Sequence, residues 1–255
     1  MKSKLEVFRV SYSYHSLEGE TPALSDISFH VKNGEFLAIV GPSGCGKSTL
    51  LSLLSGLLTL QEGTISIDGI PLEEVSSGTG YMLQKDHLFE WRSVFSNTAL
   101  GLEIQHKLTP QTQKHLHDML DTYGLGLFKD KRPSELSGGM RQRAALIRTL
   151  ALEPDLLLLD EPFSALDYQT RLAVCDDIST IIRTTKKTAI LITHDLSEAI
   201  SVADRILVLT RRPGHIKTIL DIHFSEEYDR PLKRRNAPEF SVYFNQLWKE
   251  LQIYD

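Results

Sequence analysis

Cysteine is nearly missing from this chain: Cys45 and Cys175 are the only two in 255 residues, and no Cys-x-x-Cys pair occurs. A disulfide framework and a cysteine-based zinc site are both excluded. Positive charge is also short, with 28 Lys and Arg against 33 Asp and Glu for a net charge of −5. A protein that grips nucleic acid irrespective of sequence needs the opposite balance. No apolar run approaches the ~20 residues that span a bilayer, and the richest, Leu50 to Leu58, is broken by Ser52, Ser55 and Gly56. The start, Met1-Lys2-Ser3-Lys4-Leu5-Glu6, carries charge but not the apolar stretch of a secretory signal. Low-complexity tracts and internal repeats are absent. What is there, 41% hydrophobic and 24% charged residues, suffices for a packed core and excludes general disorder. The expectation is a cytoplasmic, metal-poor globular protein of one large or two small domains.

Short β-rich runs alternate with helical ones, the pattern of an α/β sheet. Phe36 to Val40 reads as a buried strand, followed by a glycine loop and a helix from about Lys47 to Leu58. Thr64 to Ile67 alternates and ends in Asp68-Gly69, a hairpin signal. Leu156 to Leu159, Ala189 to Ile192 and Ile206 to Leu209 are continuous apolar runs, as a parallel sheet covered on both faces requires. Strand signals vanish between about Asp86 and Leu150, which reads as a helical insertion at about 86–150 within a domain covering 1–222. The tail, 223–255, is polar, helical only near Phe240 to Leu251, and holds no regulatory domain.

Gly41-Pro42-Ser43-Gly44-Cys45-Gly46-Lys47-Ser48-Thr49 matches G-x-x-x-x-G-K-[ST] between a strand and a helix. Glycines let successive backbone N–H groups turn inward on phosphate oxygens, and the helix aims its positive end at the same anion. Lys47 then neutralises β/γ-phosphate charge, the Ser48 hydroxyl ligates Mg²⁺, and Thr49 reaches the α-phosphate region. Cys45 lies inside this loop, where a thiol near a helix start is biased toward thiolate. That predicts inhibition by alkylation and protection by the bound phosphate ligand; the alternative is a small residue filling a loop position.

Leu156 to Leu159 runs into Asp160-Glu161-Pro162 at the strand end where open α/β sheets bind ligands. Adjacent side chains diverge, so Asp160 holds the Mg²⁺ shell while Glu161 faces the γ-phosphate and orients or deprotonates water. A second glycine-rich helix start, Ser137-Gly138-Gly139, precedes an amphipathic helix from Arg141 to Leu152. One nucleotide does not need two such cradles.

The phosphate loop, Gln84, Leu136-Ser137-Gly138-Gly139, Asp160-Glu161, Ser164-Ala165-Leu166-Asp167 and His194, in that order, resemble the ATPase subunit of an ABC transporter from about Leu5 to about Asp221. The resemblance implies a P-loop NTPase core with a mostly parallel sheet, an antiparallel β subdomain and an inserted helical subdomain. It implies ATP and Mg²⁺ as ligands, with Ser48, Gln84 and Asp160 around the metal and Lys47, Gln84, Glu161 and His194 as the catalytic set. It further implies a head-to-tail dimer with a second ATPase subunit, in which Ser137, Gly138 and Gly139 reach the ATP on the partner's phosphate loop. Asp167 resembles the aspartate of the dimer contact, and Tyr14 falls where the family stacks an aromatic on adenine, with Tyr12 a near competitor. Met140 departs from the glutamine usual after Ser-Gly-Gly.

Phe89, Trp91 and Phe95 follow Gln84 in an otherwise polar segment, readable as a docking groove or as the core of the helical insertion. In the family this region receives membrane-spanning permease subunits, which implies a peripheral place on the inner face of the cell membrane and, indirectly, an extracytoplasmic solute-binding protein. His115-x-His117 reads as a solvated helix face, and Lys233-Arg234-Arg235 as a solvated tail with no nucleic-acid role. Leu88 to Val94, Leu136 to Arg143 and Thr210 to Ile216 resemble the nitrate/sulfonate/taurine importer ATPases. The alternatives weighed are a soluble ABC ATPase acting on nucleic acid or ribosomes, and a P-loop kinase or GTPase. The first usually has two cassettes or a long coiled coil; a GTPase needs an Asn-Lys-x-Asp guanine motif that is missing here, and the second reading leaves the Ser137-Gly138-Gly139 helix start unexplained.

Overall fold

Leu156 to Leu159 are apolar at every position because both faces of their strand are covered, and the computed structural model, which describes residues 3–17, 19–75, 78–164 and 166–252, shows by what. Four strands form an antiparallel sheet: β1 (Ser3–Ser16), β2 (Gly19–Lys32), β4 (Glu62–Ile67) and β5 (Ile70–Pro71), ordered β2-β1-β4-β5. Six form the central sheet: β3 (Phe36–Val40), β6 (Thr79–Met82), β7 (Leu156–Asp160), β8 (Thr188–Ile192), β9 (Arg205–Leu209) and β10 (Ile216–Asp221). Their order is β10-β9-β3-β8-β7-β6, parallel except for β10 against β9. Parallel strands need crossovers, and the longer helices supply them.

Helix α1 (Lys47–Leu54) lies between the two sheets, so Leu50, Leu51, Leu53 and Leu54 are all buried, packed with Leu156, Leu158, Ile190 and Ile192 on one side and Val7, Val10 and Ile27 on the other. Residues in strict alternation with these, Leu157, Leu159, Ala189 and Leu191, face the opposite core. Helices α2 (Val94–Ile104), α3 (Pro110–Thr122), α4 (Gly138–Leu150) and α5 (Tyr168–Thr184) fill that core. Helix α6 (Leu196–Val202), α7 (Pro231–Arg234) and α8 (Pro238–Gln252) complete the chain, and Leu247 of α8 is buried against β9 and α6.

Several boundaries differ from the sequence reading. Helix α1 stops at Leu54, four residues early, because Gly56 turns left-handed at φ 73 and the chain must swing back to β4. Helix α4 begins at Gly138 rather than Arg141, with Ser137 accepting from the Met140 N–H at 3.3 Å as its cap. The tail is not freely solvated. Arg234 donates to the carbonyls of Ser201 and Ala203 at the end of α6, at 3.1 and 3.3 Å, and lies over the Phe224 ring. Burial pushes its guanidinium down to about 10; Arg234 thus clamps the tail to α6, while Lys233 stays exposed and pairs with Asp229 at 2.9 Å.

Candidate functional site

Every strand of the central sheet that runs parallel delivers its C-terminal end to one edge, and the motif residues gather there. The phosphate loop links β3 to α1. Its Gly46 caps α1 at φ 100, and a Cβ there would lie 2.8 Å from the Ala23 carbonyl oxygen, so only glycine lets the loop seat against β2. Helix α1 thereby starts with bare N–H groups turned to a cavity of about 550 Å³ lined by Ser43 to Thr49, Glu161, His194 and Arg212. The Lys47 ammonium donates to the carbonyls of Gly41 and Pro42 at 2.8 and 3.0 Å. A buried cation satisfied by two neutral carbonyls and the Cys45 sulfur at 3.7 Å is poised to exchange them for an anion.

Asp160 ends β7, half-buried, and its Oδ2 accepts from the Tyr81 hydroxyl of β6 at 3.3 Å. Burial raises the carboxyl above the usual carboxylate range, against the pull of Tyr81. The same burial, with Asp160 beside it, pushes the Tyr81 phenol up to about 12. Glu161, one residue on, takes a left-handed φ of 42, and its N–H donates to the Ile192 carbonyl of β8 at 2.9 Å. That kink turns its carboxylate away from Asp160. Glu161 Oε2 accepts from Gln84 Nε2 at 3.2 Å and lies 3.1 Å from His194 Nδ1. Gln84 also donates to Ser164 Oγ at 3.3 Å. Loops after β6, β7 and β8 therefore meet on one carboxylate.

Tyr14 stands half exposed beside α1, its hydroxyl 3.0 Å from Thr49 Oγ1 and its ring edge-on to Tyr12 at 5.1 Å. Tyr12 is half-buried against the core between the sheets, which leaves Tyr14 the freer ring. Ser137, Gly138 and Gly139 do not line the phosphate cavity of their own chain. Instead a Cβ on Gly138 would meet Leu166 at 2.9 Å, and one on Gly139 would meet Val174 at 2.8 Å, so the signature packs on the segment that carries Asp167. Asp167 is exposed and caps α5 by accepting from the Thr170 N–H at 3.1 Å, a bond that holds its carboxyl below the usual range. Ala165 of that segment lies outside the described residues.

Cys45 reverses an expectation. Its thiol is 1% exposed, and burial raises its pKa above the ordinary 9.0 although Lys47 Nζ, 3.7 Å away, pulls the other way. Desolvation outweighs both the helix start and the nearby ammonium, because the sulfur is buried in the core between the sheets, close against Gly41.

The three aromatics after Gln84 divide between the two readings. Phe95 packs into the helical core and stacks on His117 at 4.6 Å, while Phe89 and Trp91 stack on each other at 4.7 Å and are 36% and 73% exposed. Asn97, fully buried, fixes this segment by accepting from the Phe89 N–H at 2.7 Å and donating to the carbonyls of Phe89, Arg92 and Ser93. Neither Asn97 nor Tyr81 stands out in the sequence, because their roles are tertiary. Among the described residues no group of three or more His, Cys, Asp and Glu could hold a metal, and no helix is long and apolar enough to cross a membrane.

The donors that remain for a cation are one hydroxyl, one carboxylate and one amide, all oxygen donors. Asp160 in particular is a desolvated carboxylate whose nearest polar partner is a phenol. That set fits Mg²⁺, which takes few protein ligands and completes its shell with phosphate and water.

Comparisons with known proteins agree on one family. The model of the family described as "ABC transporter" matches residues 24–164. An uncharacterised ABC transporter ATP-binding protein, YtlC of Bacillus subtilis, is 44% identical over 98% of this chain and 96% of its own length. The aliphatic sulfonates import ATP-binding protein SsuB of Bacillus licheniformis is 40% identical over 91% of this chain and 88% of its own. The taurine import ATP-binding protein TauB of Yersinia pestis is 42% identical over 86% and 87%. Among solved structures, a dimeric post-hydrolysis state of the ATP-binding cassette MJ0796 bound to ADP and Pi superposes with a TM-score of 0.74 at 27% identity, covering 86% of this chain and 99% of that one.

Proposed function

The chain belongs to the ABC transporter family of ATP-binding proteins, and we propose that it is the ATP-hydrolysing subunit of a sulfonate- or taurine-type importer, working as a head-to-tail dimer on separate membrane permease chains. The observation that carries this is the separation of the two anion cradles: the phosphate loop opens into a cavity with Glu161 and His194, while Ser137, Gly138 and Gly139 face elsewhere. Two copies in opposite orientation bring each signature to the other's phosphate loop, so each nucleotide is enclosed by both chains. The MJ0796 cassette is itself described as dimeric.

Within each site Lys47 releases the Gly41 and Pro42 carbonyls and takes the β/γ-phosphates. Backbone N–H groups of Gly44 to Thr49 hold the remaining charge, and Tyr14 stacks on the base. Mg²⁺, held by Ser48, Asp160 and Gln84, would neutralise the phosphate oxygens in flight. Glu161 accepts the proton of the attacking water and His194 holds that carboxylate in place while touching the γ-phosphate. Asp167 meets the partner at the dimer contact. Exposed Phe89 and Trp91, in the segment that follows Gln84 in the chain, receive the permease, so nucleotide state is transmitted through the Gln84–Glu161 bond to the docking surface. An extracytoplasmic binding protein then delivers the solute, and the subunit sits peripherally at the cytoplasmic face.

The test is capture of the Glu161→Gln chain with ATP from its native membranes. Copurification of a multi-spanning permease supports the reading. Recovery of ribosomal or DNA-repair proteins with no permease contradicts it.

A further inference from the structure

The Thr210 to Ile216 segment, between β9 and β10, reaches the phosphate cavity through Arg212, to which no role has been given. It is a closed and fastened loop. The Thr210 N–H donates to the His215 carbonyl at 2.9 Å, the His215 N–H to Thr210 Oγ1 at 2.8 Å, and His215 Nδ1 lies 2.8 Å from the Pro213 carbonyl. The Gly214 N–H donates to Ala23 at 2.9 Å and its carbonyl accepts from Ser25 at 3.0 Å, joining the loop to β2. A Cβ at Gly214 would run into the Cys45 carbonyl oxygen, so the loop lies backbone to backbone against the phosphate loop and only glycine allows it.

Two residues from that contact, Arg212 lines the phosphate cavity together with Lys47, His194 and Glu161. Its guanidinium is exposed and has no ion-pair partner among the described residues. A carboxylate would normally be supplied for an arginine held on so fixed a loop. Here the cation is aimed instead into a cavity walled mainly by the phosphate loop with its backbone N–H groups and Lys47, where Glu161 is already engaged by Gln84 and His194. A planar, permanently charged fork suits phosphate oxygens, and a rigid loop lowers the entropy lost when it engages them.

We propose that Arg212 is a further nucleotide-binding residue, its guanidinium contacting the polyphosphate of ATP on its own chain. The inference rests on the proposed function and adds a second side-chain cation to Lys47.

It is tested by the ATP affinity of the full chain, measured at protein concentrations where it is monomeric, for the wild type, Arg212→Ala and Arg212→Lys at low and high salt. Loss of an exposed charged contact weakens ATP binding about tenfold in Arg212→Ala, with partial recovery in Arg212→Lys and a wild-type advantage that shrinks with salt. Melting without nucleotide is unchanged, which separates binding from folding. ATP affinity of Arg212→Ala within about twofold of the wild type overturns the inference. So does normal affinity with lost dimerisation in the Glu161→Gln background, which assigns Arg212 to the partner chain. A wild-type chain that binds no ATP would instead defeat the proposed function.

Discussion

His194 Nδ1 and Glu161 Oε2 lie 3.1 Å apart, and the same oxygen takes a hydrogen bond from Gln84 at 3.2 Å. Three strand ends, otherwise linked only through the sheet, converge on one carboxylate. Glu161 reaches it through a left-handed backbone at φ 42, a conformation costing roughly 1–3 kcal/mol in a residue with a side chain. The fold maintains that cost where a base is needed.

Glu161→Gln keeps the shape and removes the proton acceptor. ATP turnover should fall by about a hundredfold or more while ATP affinity is retained. Steady-state hydrolysis together with nucleotide titration checks both halves; undiminished turnover removes Glu161 from catalysis.

Lys47→Ala removes the ammonium now shared by the Gly41 and Pro42 carbonyls. The expected result is loss of the ATP-induced rise in melting temperature, because a ligand stabilises only the state it binds. An undiminished ATP shift contradicts the assignment of the loop.

Cys45 should resist modification. With both cysteines buried and both thiols raised above 9.0, thiol reagents at pH 7 should label neither until the chain unfolds. Rapid labelling of the folded chain, blocked by ATP, would restore the thiolate reading that burial argues against.

Glu198 of α6 is buried and bonded to the Thr193 hydroxyl, next to His194, with its other oxygen unpartnered. Burial pushes it up to about 7 from 4.5, so the folded chain binds a proton that the unfolded chain has released. The stability this gives is full below about 4.5 and lost progressively as pH rises through about 7. Glu198→Gln, which cannot ionise, should flatten that loss and at pH 8 exceed the wild type by up to about 3 kcal/mol. Denaturant unfolding of both chains at pH 5 and pH 8 measures it, and parallel pH dependence in the two would refute it.

Phe89→Ala combined with Trp91→Ala removes an exposed stacked pair and little core. The isolated chain should melt and hydrolyse ATP as the wild type does, and lose copurification with the permease. Retained copurification moves the docking surface elsewhere.

The phosphate loop, the central strands and the Ser137 cap were legible because each rests on local chemistry: apolar runs, glycine placement, a hydroxyl before a helix. The division of Phe95 from Phe89 and Trp91 was not, since all three are aromatic and only the position of α3 decides which one is covered. Cys45 misled for a related reason. The helix start is visible in the sequence, while the core that buries the sulfur is assembled from strands of both sheets, most of them distant in the chain. Arg234 looked like part of a charged run until the end of α6 was seen to need a donor. In each case a distant element, not the local pattern, decided the outcome.

On this reading one chain holds two half-sites that only a second chain completes. Light scattering on purified Glu161→Gln measures it directly. The expected result is a dimer with MgATP, a monomer with ADP, and a monomer with MgATP in the Ser137→Arg chain. A Glu161→Gln chain that binds ATP and remains monomeric would contradict it.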